Sequence, residues 1–188
     1  MSASVDSLQR MTSDEFLVWA EGQPDAKFEL HDGVVVAMAG ERRLQGIVEM
    51  NVAIALDVAP PPCRPYVDGI AIRTSDFTTY TPDVLVDCGD QSDMREMTAV
   101  DPVIVVEVLS DSTSKVDTGA KLEGYFSVPA VQHYLVIDGG DRRVIHHQRD
   151  HDRIATRIPH TGELTLMPPD IALDMDDFWR GLPEEESE

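Results

Sequence analysis

The stretch VIVVEVLS, residues 103–110, decides how the rest of the chain is read. Val and Ile fill it on both sides of Glu107, as they do in a strand buried on two faces. A carboxylate carried into such an interior costs several kcal/mol unless another group compensates its charge. Alternation puts Glu107 on one face with Val103, Val105 and Leu109. The residue is therefore expected to point inward and to need a partner. The competing reading is a strand whose Glu side chain faces solvent.

A candidate lies upstream in TPDVLVDC, residues 81–88, where Asp83 opens a second apolar run. If the runs 83–88 and 103–109 pair antiparallel, the start of one lies beside the end of the other. Asp83 and Glu107 then share one rim of a sheet. Two carboxylates that close repel each other, and a divalent cation would remove the conflict. Oxygen donors favour a hard ion, Mg²⁺ or Mn²⁺. Downstream, Asp117, Lys121 and Tyr125 follow at i, i+4 and i+8 along one face of an expected helix. Lys121 could stabilise negative charge at the rim, or pair with Asp117 on a solvated face. Tyr125 could hydrogen-bond the same region or simply pack.

Around these residues the chain reads as one mixed α/β domain. Thr12-Ser13-Asp14-Glu15 has the form of a capping box before a first helix. KFELHDGVVVAMAG, residues 27–40, is two strand-like runs joined by Asp32-Gly33, a hairpin signal. Apolar residues recur at helical spacing from Arg42 to about Val58, and Pro60-Pro61-Pro62 ends that helix. A strand from about Tyr66 to Arg73, a polar turn and DVLVDC come next. A helix is expected from about Thr113 to Phe126, followed by HYLVID and RVIHHQR. Short strands near Arg153–Ile158 and Glu163–Leu166 are expected to complete the sheet, with a last helix around Asp174–Arg180.

The 188 residues are 42% hydrophobic, enough for a sizeable core over residues 1–183; the acidic end, 184–188, reads as a disordered tail. Fifteen Lys and Arg against thirty-five Asp and Glu leave a net charge of −20. Such a surface repels polyanions at long range, which excludes nonspecific coating of DNA. No run is long enough for a membrane span and the start lacks a signal-peptide core, so a cytoplasmic protein is expected. Cys63 and Cys88 lack zinc spacing and are expected as free thiols. His146, His147 and His151 invite a metal reading, but neighbours on a strand point to opposite faces, and a polar strand-and-turn edge accounts for them better. Asp174, Asp176 and Asp177 lack the pattern of a calcium loop and suit a helix start. Phosphate-loop motifs are absent.

The segments FELHDG, TPD, EVLS and KLEGY, in this order and spacing, resemble the restriction endonuclease (Uma) family of the PD-(D/E)XK nuclease superfamily. The resemblance runs from about Thr12 to Phe178. It implies a restriction-endonuclease-like core: a central mixed β-sheet flanked by helices, with an N-terminal helix and β-hairpin. It assigns Asp83 and Glu107 to the metal, with the Val108 carbonyl as a further ligand. The superfamily's usual Lys, two residues after the Glu, is Leu109 here, and the resemblance moves that role to Lys121. Glu29 would lie near the site, or anchor the hairpin turn. Family members often carry a His where this chain has Gln45, and glutamine cannot act as a general base. The expectation is a Mg²⁺- or Mn²⁺-dependent endonuclease acting on DNA as a homodimer, with catalytic Asp83, Glu107 and Lys121 supported by Glu29, Gln45 and Tyr125. The alternative is a catalytically impaired nuclease fold serving binding or assembly.

Overall fold

The structure, a computed structural model, describes residues 10–38, 40, 42–93, 95–109 and 115–183, with backbone alone for 115–118. The chain begins with α1 (Ser13–Glu21), β1 (Phe28–His31), β2 (Val34–Ala37) and α2 (Arg43–Leu56). Five strands follow: β3 (Arg64–Val67), β4 (Ile72–Ser75), β5 (Thr78–Tyr80), β6 (Val84–Asp87) and β7 (Pro102–Val108). Helix α3 (Lys115–Ser127) leads to β8 (His133–Asp138), β9 (Arg143–Asp150) and β10 (Arg153–Arg157). The chain closes with β11 (Glu163–Leu166), β12 (Ile171–Asp174) and a 3-10 turn over Met175–Trp179.

A six-stranded mixed sheet, in the order β10-β9-β8-β7-β6-β3, carries the core. Only the central pair β7–β8 is parallel among its ladders. A parallel pair needs a long crossover, and α3 supplies it. Val48, Val52 and Leu56 of α2 cover one face with Val84, Val86, Ile104 and Val106. On the other face Val105, Tyr134 and Val136 pack with Tyr125 and Phe126 of α3. Glu107 alternates with Val105 and so belongs to the α3 side. A four-stranded sheet, β2-β1-β5-β4, flanks the core.

Local chemistry explains the pieces. Thr12 and Glu15 form both halves of the capping box at α1. Asp32 and Gly33 have φ of 50° and 83°, the two positive values that a tight hairpin between β1 and β2 requires. The strand expected from Tyr66 to Arg73 is broken at Asp68-Gly69, φ 55° and 80°, so β3 joins the large sheet and β4 the small one. The polar turn expected next contains β5, which pairs with both β1 and β4. β11 does not complete the large sheet; it pairs with β12 alone and buries Leu164, Leu166, Ile171 and Leu173 in the core beneath α2. The last helix is a single 3-10 turn capped by Asp174, whose side chain accepts from the Asp176 N–H.

Two side-chain expectations are corrected. Cys63 and Cys88 are disulfide-bonded, not free. Antiparallel β3 and β6 set Arg64 opposite Asp87, and one further step sets 63 opposite 88. His146 is not an edge residue: it is 1% exposed and lies 2.9 Å from Nδ1 of His133, itself fully buried. The strand partner His133 was invisible to a reading of 146–151 alone. His147, on the opposite face, bonds Thr156 at the rim.

Candidate active site

Strands β6 and β7 are antiparallel with Val84 opposite Val106. The next step outward sets residue 83 beside residue 107, so both acids stand at the same end of the sheet. The Val108 N–H donates to Asp83 Oδ2 at 2.6 Å, and the Asp68 N–H donates to the Asp83 carbonyl at 2.9 Å. These bonds tie the Pro-Asp segment to the strands on either side of it.

Glu107 has its partner within the protein. Lys121 Nζ donates to both of its oxygens, at 3.0 and 3.1 Å, and to Glu29 Oε1 at 2.9 Å. The Tyr125 hydroxyl donates to Glu107 Oε1 at 2.6 Å. Lys121 and Tyr125 stand one turn apart on α3, both buried, on the face that the i, i+4 spacing indicates. Asp117 has no described side chain. An ammonium ion and a phenol thus hydrogen-bond this carboxylate from within the chain.

Glu29 links the hairpin to this network. Its Oε1 accepts from the Thr81 N–H at 3.1 Å, and its Oε2 lies 2.8 Å from His31 Nε2. Burial pushes the Glu29 carboxyl up, but the His31 bond and the charge of Lys121 outweigh it, leaving the group below its ordinary value. For Lys121 burial works downward, and the charges of Glu107 and Glu29 more than offset it, so the ammonium is held well above its ordinary range. Burial dominates at Glu107 and raises its carboxyl despite Lys121. Asp83 differs in kind. Burial, then the charges of Glu107 and Glu49, push its carboxyl up to about 8.

Gln45 also reaches the rim. Its Nε2 donates to the Val108 carbonyl at 3.3 Å, while its Oε1 accepts from the Arg42 N–H at 2.9 Å. All six candidate residues therefore converge on one end of β6 and β7. Sequence reasoning missed Glu49 and His31. Glu49 follows Gln45 by one helical turn, and both face inward with Val48 and Val52; two polar residues on a buried stripe are the available signal. His31 follows Glu29 by two residues on one strand face. Gly124 of KLEGY is explained by Tyr80: a Cβ there would stand 2.6 Å from the Tyr80 ring, which packs edge-on against Tyr125 at 5.4 Å.

Among the described residues, the arginines are divided between this end of the sheet and other places. Arg73 is engaged with Asp14 and Asp76. Arg64 lies opposite Asp87, at the far end of β6 from Asp83. Arg42 and Arg43 stand at the start of α2, the end that carries Gln45.

The chain is similar to known proteins along most of its length. Over 178 residues the chain is 26% identical to the uncharacterized protein slr1290 of Synechocystis sp., covering 92% of this chain and 93% of that one. A second Synechocystis protein, the uncharacterized sll1609, is 28% identical over 148 residues, or 76% and 83% of the two chains. The crystal structure of a "putative nuclease belonging to DUF820" from Anabaena variabilis superposes with a TM-score of 0.71 at 16% identity, covering 90% of this chain and 97% of that one. It shares the fold. No helix among the described residues is long and apolar enough to cross a membrane. The family model described as "Putative restriction endonuclease" matches residues 13–176, and the chain belongs to that family, Uma2.

Proposed function

We propose that the chain is a Mg²⁺- or Mn²⁺-dependent endonuclease that hydrolyses DNA phosphodiester bonds, a single nuclease-like domain over residues 1–183 that works in the cytoplasm as a homodimer. The observation that carries this reading is the convergence of Asp83, Glu107 and Lys121 at one end of the β6–β7 pair.

The donors suit a hard ion. Among the described residues no group of three or more His, Cys, Asp or Glu is arranged to hold a metal, so a cation would rest on Asp83, Glu107, the Val108 carbonyl and water. Mg²⁺ is commonly held by one or two carboxylates and keeps several waters. Asp83 supports the fit: burial and the charges of Glu107 and Glu49 outweigh the Val108 bond and the charge of Lys121, so a further positive charge is what would keep it ionised. When bound, the ion supplies Lewis acidity at the scissile phosphate. Lys121 stabilises the negative charge that develops there, and Glu29 and Tyr125 hold Lys121 and Glu107 in register. Gln45 can orient a water molecule but cannot take its proton. Plasmid cleavage in Mg²⁺ tests the assignment: Asp83→Ala and Glu107→Ala should each abolish it, and equal activity in all three proteins rejects it.

A second reading, a binding or assembly module on a nuclease fold, is favoured by Gln45, by the net charge of −20, by the placing of Arg64 at the far end of β6 and by the engagement of Arg73 with Asp14 and Asp76. Calorimetry with Mg²⁺ and Mn²⁺ separates the two, because a chain that binds neither ion at millimolar concentration is not the enzyme described. The Cys63–Cys88 disulfide weighs against a reducing compartment. Counting reactive thiols in freshly lysed cells decides the point: two free thiols support the cytoplasm, none refutes it.

A further inference from the structure

Helix α2 is apolar on two faces. Its inner stripe, Val48, Val52 and Leu56, is buried in the core. Its outer stripe is Arg43, Ile47, Met50, Ile54 and Asp57, spaced alternately four and three residues apart. Ile47 is 39% exposed, Met50 61% and Ile54 59%. Leu44 and Val58 widen the stripe at its ends and are also exposed. A four-three repeat of apolar residues is the seam that one helix presents to another, and a helix apolar on opposite faces is normally covered on both.

The charges at the ends of the seam identify what covers it. Arg43 begins α2 and Asp57 is its C-cap, and each has the sign that its own helix dipole disfavours. Their placing makes sense against the same helix running the other way. With Met50 on a two-fold axis, Arg43 of each copy meets Asp57 of the other and Ile47 lies within one residue of the level of Ile54. The stripe is self-complementary in shape and charge, as an isologous interface must be. Its uncharged centre also lets two chains of net charge −20 approach without opposing carboxylates. A basic helix of another protein would find only half of this match, because Arg43 would repel it.

We infer that a second copy of this chain docks on the outer face of α2, forming an antiparallel helix pair centred on Met50. The inference gives the homodimer proposed above a specific interface and does not depend on nuclease activity. Sedimentation equilibrium of the full chain tests it, comparing wild type with Ile54→Asp, Arg43→Asp, Asp57→Arg and the double charge exchange. The wild type should be dimeric and Ile54→Asp monomeric. Each single charge change should weaken the dimer about tenfold or more by setting like charges face to face, and the double exchange should restore it. Both exchanges place a charge that the helix dipole favours, so thermal melts of these variants confirm folding. A monomeric wild type at about 100 µM, a concentration that saturates any micromolar dimer, overturns the inference. A dimer indifferent to Ile54→Asp also overturns it while leaving the homodimer itself standing, and so does a double exchange that fails to restore association.

Discussion

The central sheet buries titratable groups in two places and treats them in opposite ways. At β7 and α3, Glu107 and Glu29 share the cation Lys121, through three ammonium-to-carboxylate bonds and a phenol. Two ladders along, His133 of β8 and His146 of β9 lie 2.9 Å apart and stay neutral. Burial is the first cause in both regions. It pushes His133 down to about 4 and His146, which also feels His133, to about 3. The difference is the supply of opposite charge. A network holding charge at a sheet rim can act on a charged substrate; a neutral pair in the interior can only pack and hydrogen-bond.

Lys121→Met attacks this contrast most directly. It leaves Glu29 and Glu107 buried without their cation, and urea unfolding at pH 7 should show a loss of about 3–5 kcal/mol. Combining it with Glu107→Gln should recover part of that loss, since one uncompensated charge is removed.

Acid probes the other region. The two histidines titrate lower in the folded chain than in the unfolded one, so the unfolded state binds more protons once the pH drops below about 6.5. Stability tied to the pair is fully present above that value and declines toward the folded values near 4 and 3. Unfolding at pH 4.5 should be easier than at pH 7 by about 5 kcal/mol from the two histidines together. The double variant His133→Leu, His146→Leu should flatten that slope; an unchanged slope would place the acid sensitivity elsewhere.

Smaller changes sharpen the picture of the charged network. Tyr125→Phe removes the bond to Glu107 Oε1 and should lower stability by about 1.5 kcal/mol, as expected for a hydrogen bond to a charged group. Gly124→Ala gains helix propensity of about 1 kcal/mol but meets the Tyr80 ring at 2.6 Å, so a net loss of about 1 kcal/mol is expected. Pairing it with Tyr80→Leu should convert the loss into a gain in melting temperature.

The inward Glu107 and the shared face of Lys121 and Tyr125 were legible because each follows from a local period, and Asp83 beside Glu107 followed once the two strands were taken as antiparallel. Period two sorts a strand's faces, and period 3.6 sorts a helix's. The hairpin at Asp32-Gly33 and the cap at Thr12 were legible for the same reason, since a handful of adjacent residues specifies each. Failures came where a residue's partner is distant. His133 and His146 are 13 residues apart and meet only through the β8–β9 register. Cys63 and Cys88 meet through β3–β6. The strand break at Asp68-Gly69 carried a turn signal that the neighbouring apolar residues outweighed.

By itself, then, the amino-acid order determined most of the elements, their inward faces and the need of Glu107 for a counter-charge, because steric periodicity and desolvation act within a few residues. Tertiary structure decided which counter-charge answers it. An ammonium on α3 can reach a carboxylate on β7 only after the crossover to β8 folds the helix back across the sheet, and Coulomb attraction in a desolvated site depends on distances of about 3 Å that no spacing along the chain specifies.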